Sequence, residues 1–247
     1  MAEAAFWGLV GASALIVGAE VAFGFKLSRM TIGLIMAFGV GALISAVSFE
    51  LVAPAIETAE VWQVAVGLGL GSATFFIGDR LIAKLGGSNR KSKDGKSQDG
   101  ESDDDSGLGI VLGTVLDGIP ESAVLGMSLV GGGGVSFALL AGIWISNFPE
   151  ALASTVNLSK AGMAKGKIRL MWLAILVVSG IAAALGFAIV NNISSRTGAL
   201  VEAFAAGSLL TMIADEMAPE AYERSAIYAG LATVAGFALA VFLTSLE

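Results

Sequence analysis

Apolar residues fall in long runs along this chain, separated by short breaks that hold most of the charged ones. Runs of about 20 residues, the length a helix needs to cross a bilayer core, lie near 4–25, 31–53, 61–84, 107–130, 134–158, 168–190, 198–219 and 224–245. Leu, Ala, Val and Gly fill them without the apolar–polar alternation of a barrel strand, so the runs predict helices. The pattern predicts an all-α, eight-helix polytopic transmembrane bundle forming one domain over 1–247. One polar stretch inside it, "GGSNRKSKDGKSQDGESDDDSG" from Gly86 to Gly107, cannot bury a core and predicts a disordered loop. Its run Asp103–Asp104–Asp105 reads as a solvated tether, with a weak metal-collecting tract as the other reading.

Composition sharpens this picture. Of 247 residues, 55% are apolar and 14% charged, against about 25% charged in a soluble domain. Cysteine and histidine are both absent. Thiolate and imidazole ligands, disulfides and His-dependent catalysis are therefore excluded. Any chemistry must use carboxylates, amides, hydroxyls, thioethers or backbone. No basic segment precedes the first run ("MAEAAFWGLV"), so no cleaved signal peptide is expected. The net charge of -7 argues against nucleic acid as a partner; the lipid bilayer is the expected one, and a second copy of the chain is a further candidate.

Basic residues sort the loops. With eight spans, all of the 14 Lys and Arg except Arg196 fall on one side. The positive-inside rule makes that side cytoplasmic and puts both termini outside, as expected of a multi-pass protein of the cell (inner) membrane.

Two pairs of spans resemble each other. "AFGVGALISAVSFELVAP" in span 2 and "AFAAGSLLTMIADEMAPE" in span 7 superpose Gly41 on Gly207 and Glu50 on Glu216. "DGIPESAVLGMSL" in span 4 and "SNFPEALASTVNL" in span 5 superpose Pro120 on Pro149 and Glu121 on Glu150. In both pairs the helices run in opposite directions. Spans 1–3 and 6–8 flanking a 4–5 pair is the inverted-repeat logic of secondary transporters.

Spans 4 and 5 carry the candidate chemistry. Asp117 and Glu121 are i and i+4, on one helix face, as are Ser146 and Glu150, with Asn147 one step around. Pro120 cannot donate to the carbonyl of Leu116, nor Pro149 to that of Ile145, so each proline frees a backbone oxygen in the same turn. The depth is mid-membrane, where an isolated charge costs at least about 2.5–3.5 kcal/mol on insertion scales. Three carboxylates, an amide, a hydroxyl and two loosened carbonyls make an oxygen-rich cage suited to a divalent cation. Glu50, at the outer end of span 2, reads as an entrance ligand or an interfacial cap. Asp215 and Glu216, at the inner end of span 7, read as an exit relay or as caps. Met127, Met163, Met212 and Met217 read as packing.

These segments resemble the ZIP (Zrt-/Irt-like) family of divalent-metal transporters. That family has eight spans, outside termini, a variable loop between spans 3 and 4, and motifs H-N-x-P-E and H/Q-x-x-P-E in spans 4 and 5. Carried over, the first histidine is Asp117, the asparagine is Gly118 and the glutamate is Glu121. In span 5 the ligand positions are Ser146, Asn147 and Glu150. The resemblance implies a primary metal site of Asp117, Glu121, Ser146 and Glu150, and metal-exit ligands at the Asp215–Glu216 end. The family's acidic residue in span 6 has no counterpart in "IRLMWLAILVVSGIAAALGFAIV", so one site is expected rather than a binuclear centre. The expected cargo is a divalent ion of the zinc, iron or manganese class, with oxygen ligation favouring harder ions, and no resident cofactor.

Two other functions stay open. A metal-binding relative that senses without transporting would share the motifs. An intramembrane protease would not: a serine type lacks its histidine, and an aspartyl type wants G-x-G-D where "FFIGDR" has Phe76 first. No enzymatic activity is expected.

Overall fold

A computed structural model describes residues 1–84, 103–130 and 134–246. Among them every regular element is helical and there is no strand. The helices are α1 Ala2–Gly24, α2 Arg29–Ala46, α3 Ala53–Thr58, α4 Val61–Lys84, α5 Asp103–Met127, α6 Phe137–Lys160, α7 Lys165–Asn191, α8 Ser195–Met212, α9 Ala218–Ser225 and α10 Ala229–Thr244. Serines start three of them: the side chains of Ser28, Ser136 and Ser194 accept from the backbone N–H of Thr31, Leu139 and Thr197. Each thereby satisfies one of the N–H groups that a helix start leaves without a partner.

Among the described residues, six stretches are long and apolar enough to cross a membrane: Ala2–Gly24, Arg29–Thr58, Val61–Ile82, Phe137–Lys160, Lys165–Asn191 and Ser195–Thr244. The last is broken at Ala226, whose φ of 49° turns the chain between α9 and α10. The helix α5 adds 25 residues around Asp117 and Glu121. Most of the predicted 86–107 loop lies outside the described residues. Its last five belong to α5, because helix formation reaches back from the apolar run into the aspartates, which are favoured helix starters.

Two of the predicted spans run further than their prolines suggest. Between α2 and α3 the chain stays helical as a π turn, Val47–Val52, and between α8 and α9 as another, Ile213–Met217. A proline follows each turn as the second residue of the next helix, Pro54 and Pro219. Proline has no N–H for the carbonyl four residues back, here Glu50 and Asp215. The wider i→i+5 turn absorbs the misfit without ending the helix. By contrast, Pro120 and Pro149 sit inside uninterrupted α-helix.

Small residues set the packing. A Cβ on Gly41 would lie 1.8 Å from the Thr233 carbonyl, and one on Gly236 would lie 1.9 Å from that of Phe38. Only glycine permits that approach of α2 and α10. Residue correspondence along the contacts makes α2 and α10 parallel, and likewise α4 with α8, α5 with α7 and α1 with α6, while α2 and α1 run antiparallel to α6 and α7 respectively. The largest apolar core, including Leu43, Val124, Leu125, Ile143, Leu209 and Met212, lies between α2, α5, α6 and α8. A second joins α1, α6 and α7 around Trp172, whose Nε1–H donates to Thr155 Oγ1 at 2.8 Å. Met127 and Met212 are buried in the first core, and Met163 packs on the second. The outer surface stays apolar, with Trp62, Leu70, Leu170, Ile181, Leu231 and Val234 exposed, as expected where lipid is the solvent.

Charged residues gather at the helix ends. Arg169 at the start of α7 grips Glu20 near the end of α1 through two nitrogens, one at 2.7 Å. Arg29 pairs with Glu223 at 3.6 Å. At the opposite end Arg196 donates to Gln63 Oε1 at 2.9 Å.

Candidate metal site

The two P-E segments meet. Asp117 and Glu121 on α5, and Ser146 and Asn147 on α6, are all buried, Glu121 at 2% exposure and Asp117 at 3%. The Ser146 hydroxyl lies 3.2 Å from Glu121 Oε1 and 2.9 Å from the carbonyl of Ile143, with one proton for the two acceptors. Asp117 lies one turn before Glu121 on the same face of α5, and Asn147 follows Ser146 on α6. Glu121 Oε2 is buried and has no hydrogen-bond partner among the described residues. Behind the site, α2 approaches closely: a Cβ on Gly39 would lie 3.2 Å from the Ser146 Cα.

Glu150 stands one turn beyond Ser146 on α6, half-buried, with its Oε1 buried. Among the described residues no three acidic side chains are gathered closely enough to hold a metal. The gathered group is thus the Asp117–Glu121 pair with a hydroxyl and an amide, and Glu150 extends the polar row along α6. Chemically the group is acceptor-rich and short of donors. Two carboxylates buried side by side repel each other when both are ionised, and a divalent cation offsets both charges at once.

The outlying candidates occupy different places. Glu50 accepts from Thr244 Oγ1 at 2.9 Å and lines a cavity of about 600 Å³ with Ser128, Ser136 and Glu202. Met127 also lines that cavity, six residues along α5 from Glu121, or roughly 9 Å at helical rise. Asp215 is exposed and lines a groove of about 710 Å³ between α4 and α8, beside Ser72 and Thr211. Glu216 is half-buried, its Oε1 buried. Glu50 and Asp215 are also residues whose carbonyls lose a donor to proline, at the two π turns. Sequence reasoning passed over Glu202, although an acid about two turns inside an apolar helix is itself a signal. It also passed over Ser179, a buried hydroxyl on α7 that faces Gly118.

No protein-family model matches the chain, and no curated protein matches it significantly. The likeness to ZIP transporters therefore rests on the residues quoted above.

Proposed function

We propose that this chain carries divalent metal cations across a membrane by alternating access, binding them at Asp117, Glu121, Ser146 and Asn147, with Glu150 one turn along α6 as the next oxygen on the path. One observation carries the proposal. Two adjacent carboxylates lie buried at the centre of an apolar helical bundle, and Glu121 Oε2 has no hydrogen-bond partner among the described residues. Ionisable groups at such depth mark ion pathways by default.

The proposal includes eight spans, a cytoplasmic basic face, outside termini and an inverted repeat. Two features support the repeat. The helix pairings come in mates: α2 with α10 and α8 with α4, then α1 with α6 and α7 with α5. A π turn with a following proline recurs at Glu50 and at Asp215–Glu216. The same pairings sort the helices into two groups, α1, α5, α6 and α7 against α2–α4 and α8–α10. Movement of one group against the other would expose the site to either side in turn. The cavity at Glu50 and the groove at Asp215 then serve entry and exit. The function assigns no catalytic step, and the cargo is the metal itself.

The test is uptake by purified protein in proteoliposomes across Mn²⁺, Fe²⁺, Zn²⁺ and Mg²⁺, with Asp117→His beside the wild type. Uptake of at least one ion, with a shift toward zinc in the variant, is the expected result. Binding without uptake of any ion would make the protein a sensor instead.

A further inference from the structure

The helices α5 and α7 press together at one end and leave room for about one methyl group at the other. A Cβ on Gly126 would lie 1.9 Å from the Ala183 carbonyl, and one on Gly186 would lie 2.2 Å from that of Ala123. Two turns back, a Cβ on Gly118 meets nothing closer than Ser179 Oγ at 3.8 Å. Gly118 and Ser179 are both buried, Ser179 at 2% exposure. The opening is therefore internal, and it has one polar wall, a hydroxyl that can donate or accept.

Its position relates it to the carboxylates. Gly118 follows Asp117, and Glu121 is three residues on, a neighbour on the helix surface. The gathered oxygens come from α5 and α6 only. On the α7 side, Ser179 carries the only hydroxyl among the residues buried on that helix. Four protein groups leave a six-coordinate ion incomplete. Such an ion, if magnesium-like, sheds its hydration reluctantly and usually keeps several waters. Zinc is satisfied by four ligands.

We infer that the opening between Gly118 and Ser179 holds a water molecule that stays on the bound cation, fixed by the Ser179 hydroxyl, so that the site selects a partly hydrated ion of the Mn²⁺ or Mg²⁺ kind over zinc. The inference rests on the metal-binding function proposed above and names its substrate class. Ser179 is on this account a specificity-determining residue that acts through the water.

The experiment uses detergent-purified full-length protein loaded with Mn²⁺. Line broadening of the Mn²⁺ electron paramagnetic resonance signal in ¹⁷O-enriched water counts bound waters, and zinc competition gives the relative affinity. Two variants narrow the opening or remove its hydroxyl, Gly118→Ala and Ser179→Ala. The first adds a methyl at ordinary contact distance and suits a helix interior better than glycine; the second is smaller than the native side chain. Each is expected to lose a bound water and to move the Mn²⁺-to-Zn²⁺ preference about tenfold or more toward zinc, the scale of outer-shell effects on metal sites. An unchanged water count and preference in both variants, with wild-type Mn²⁺ binding intact, would overturn this inference alone. No Mn²⁺ or Zn²⁺ binding by the wild type would overturn the transport function with it.

Discussion

Replacing Glu121 by Gln keeps the shape of the side chain and the oxygen next to Ser146, and removes one charge. Asp117 lies one turn back, and both groups are buried. Side chains at i and i+4 are about 6 Å apart. Two unit charges at that separation repel by about 3 kcal/mol at an effective dielectric constant near 20. Without metal and with both groups ionised, Glu121→Gln is therefore more stable than the wild type by about that amount. At acidic pH a proton removes the repulsion and the advantage shrinks. Saturating metal cancels the variant's advantage. A cation at 100 times its Kd stabilises the wild type by about 2.7 kcal/mol, while the variant, short of one carboxylate, gains much less. For a chain of this length about 1 kcal/mol moves the melting temperature by roughly 2–4 °C, so each effect spans roughly 5–12 °C. Thermal unfolding of the detergent-purified protein, followed by its four tryptophans, reads both at pH 6 and pH 9, with EDTA and with Mn²⁺. A variant less stable than the wild type in EDTA at pH 9, yet with the same rise in Mn²⁺, would refute the reasoning.

Other outcomes follow from the same geometry. Metal binding weakens as pH falls, because protons compete for the carboxylate oxygens; isothermal titration at pH 5.5, 6.5 and 7.5 checks the sign. Gly41→Val forces a side chain into the Thr233 carbonyl and destabilises the protein by at least about 1–3 kcal/mol, read as a lower melting temperature. Arg169→Ala removes an ion pair whose partners are about half exposed, so it costs less than about 1 kcal/mol and the loss fades in high salt. Glu50→Gln combined with Glu202→Gln slows uptake at low metal concentration and leaves equilibrium binding unchanged, because these residues line the cavity beside Ser128 and Ser136 and not the buried group.

The helical character of the chain was legible because a bilayer-length apolar run leaves a backbone few alternatives. The meeting of the two P-E segments was legible in part. Spacing put Asp117 with Glu121 and Ser146 with Glu150 on common faces, and the structure joins Glu121 to Ser146. How far along α6 the gathered group extends was not readable, since it depends on how α5 and α6 are shifted relative to each other. The prolines illustrate a different limit. Pro54 and Pro219 were visible after Glu50 and Glu216, but a missing N–H can end a helix, kink it or widen it. Packing of α3 and α9 against their neighbours keeps the chain helical there. Ser179 was silent for a simpler reason: a lone serine in an apolar run acquires meaning only when the helix facing it, and the glycine on that helix, are known.

The central claim is that the buried carboxylates carry metal through the membrane. The measurement that bears on it most directly is Mn²⁺ and Zn²⁺ uptake into proteoliposomes by the wild type, Glu121→Ala and Glu150→Ala, with matched amounts of protein reconstituted. Metal entering through the wild type and through neither variant is the predicted result. Uptake in both variants equal to that of the wild type would contradict it.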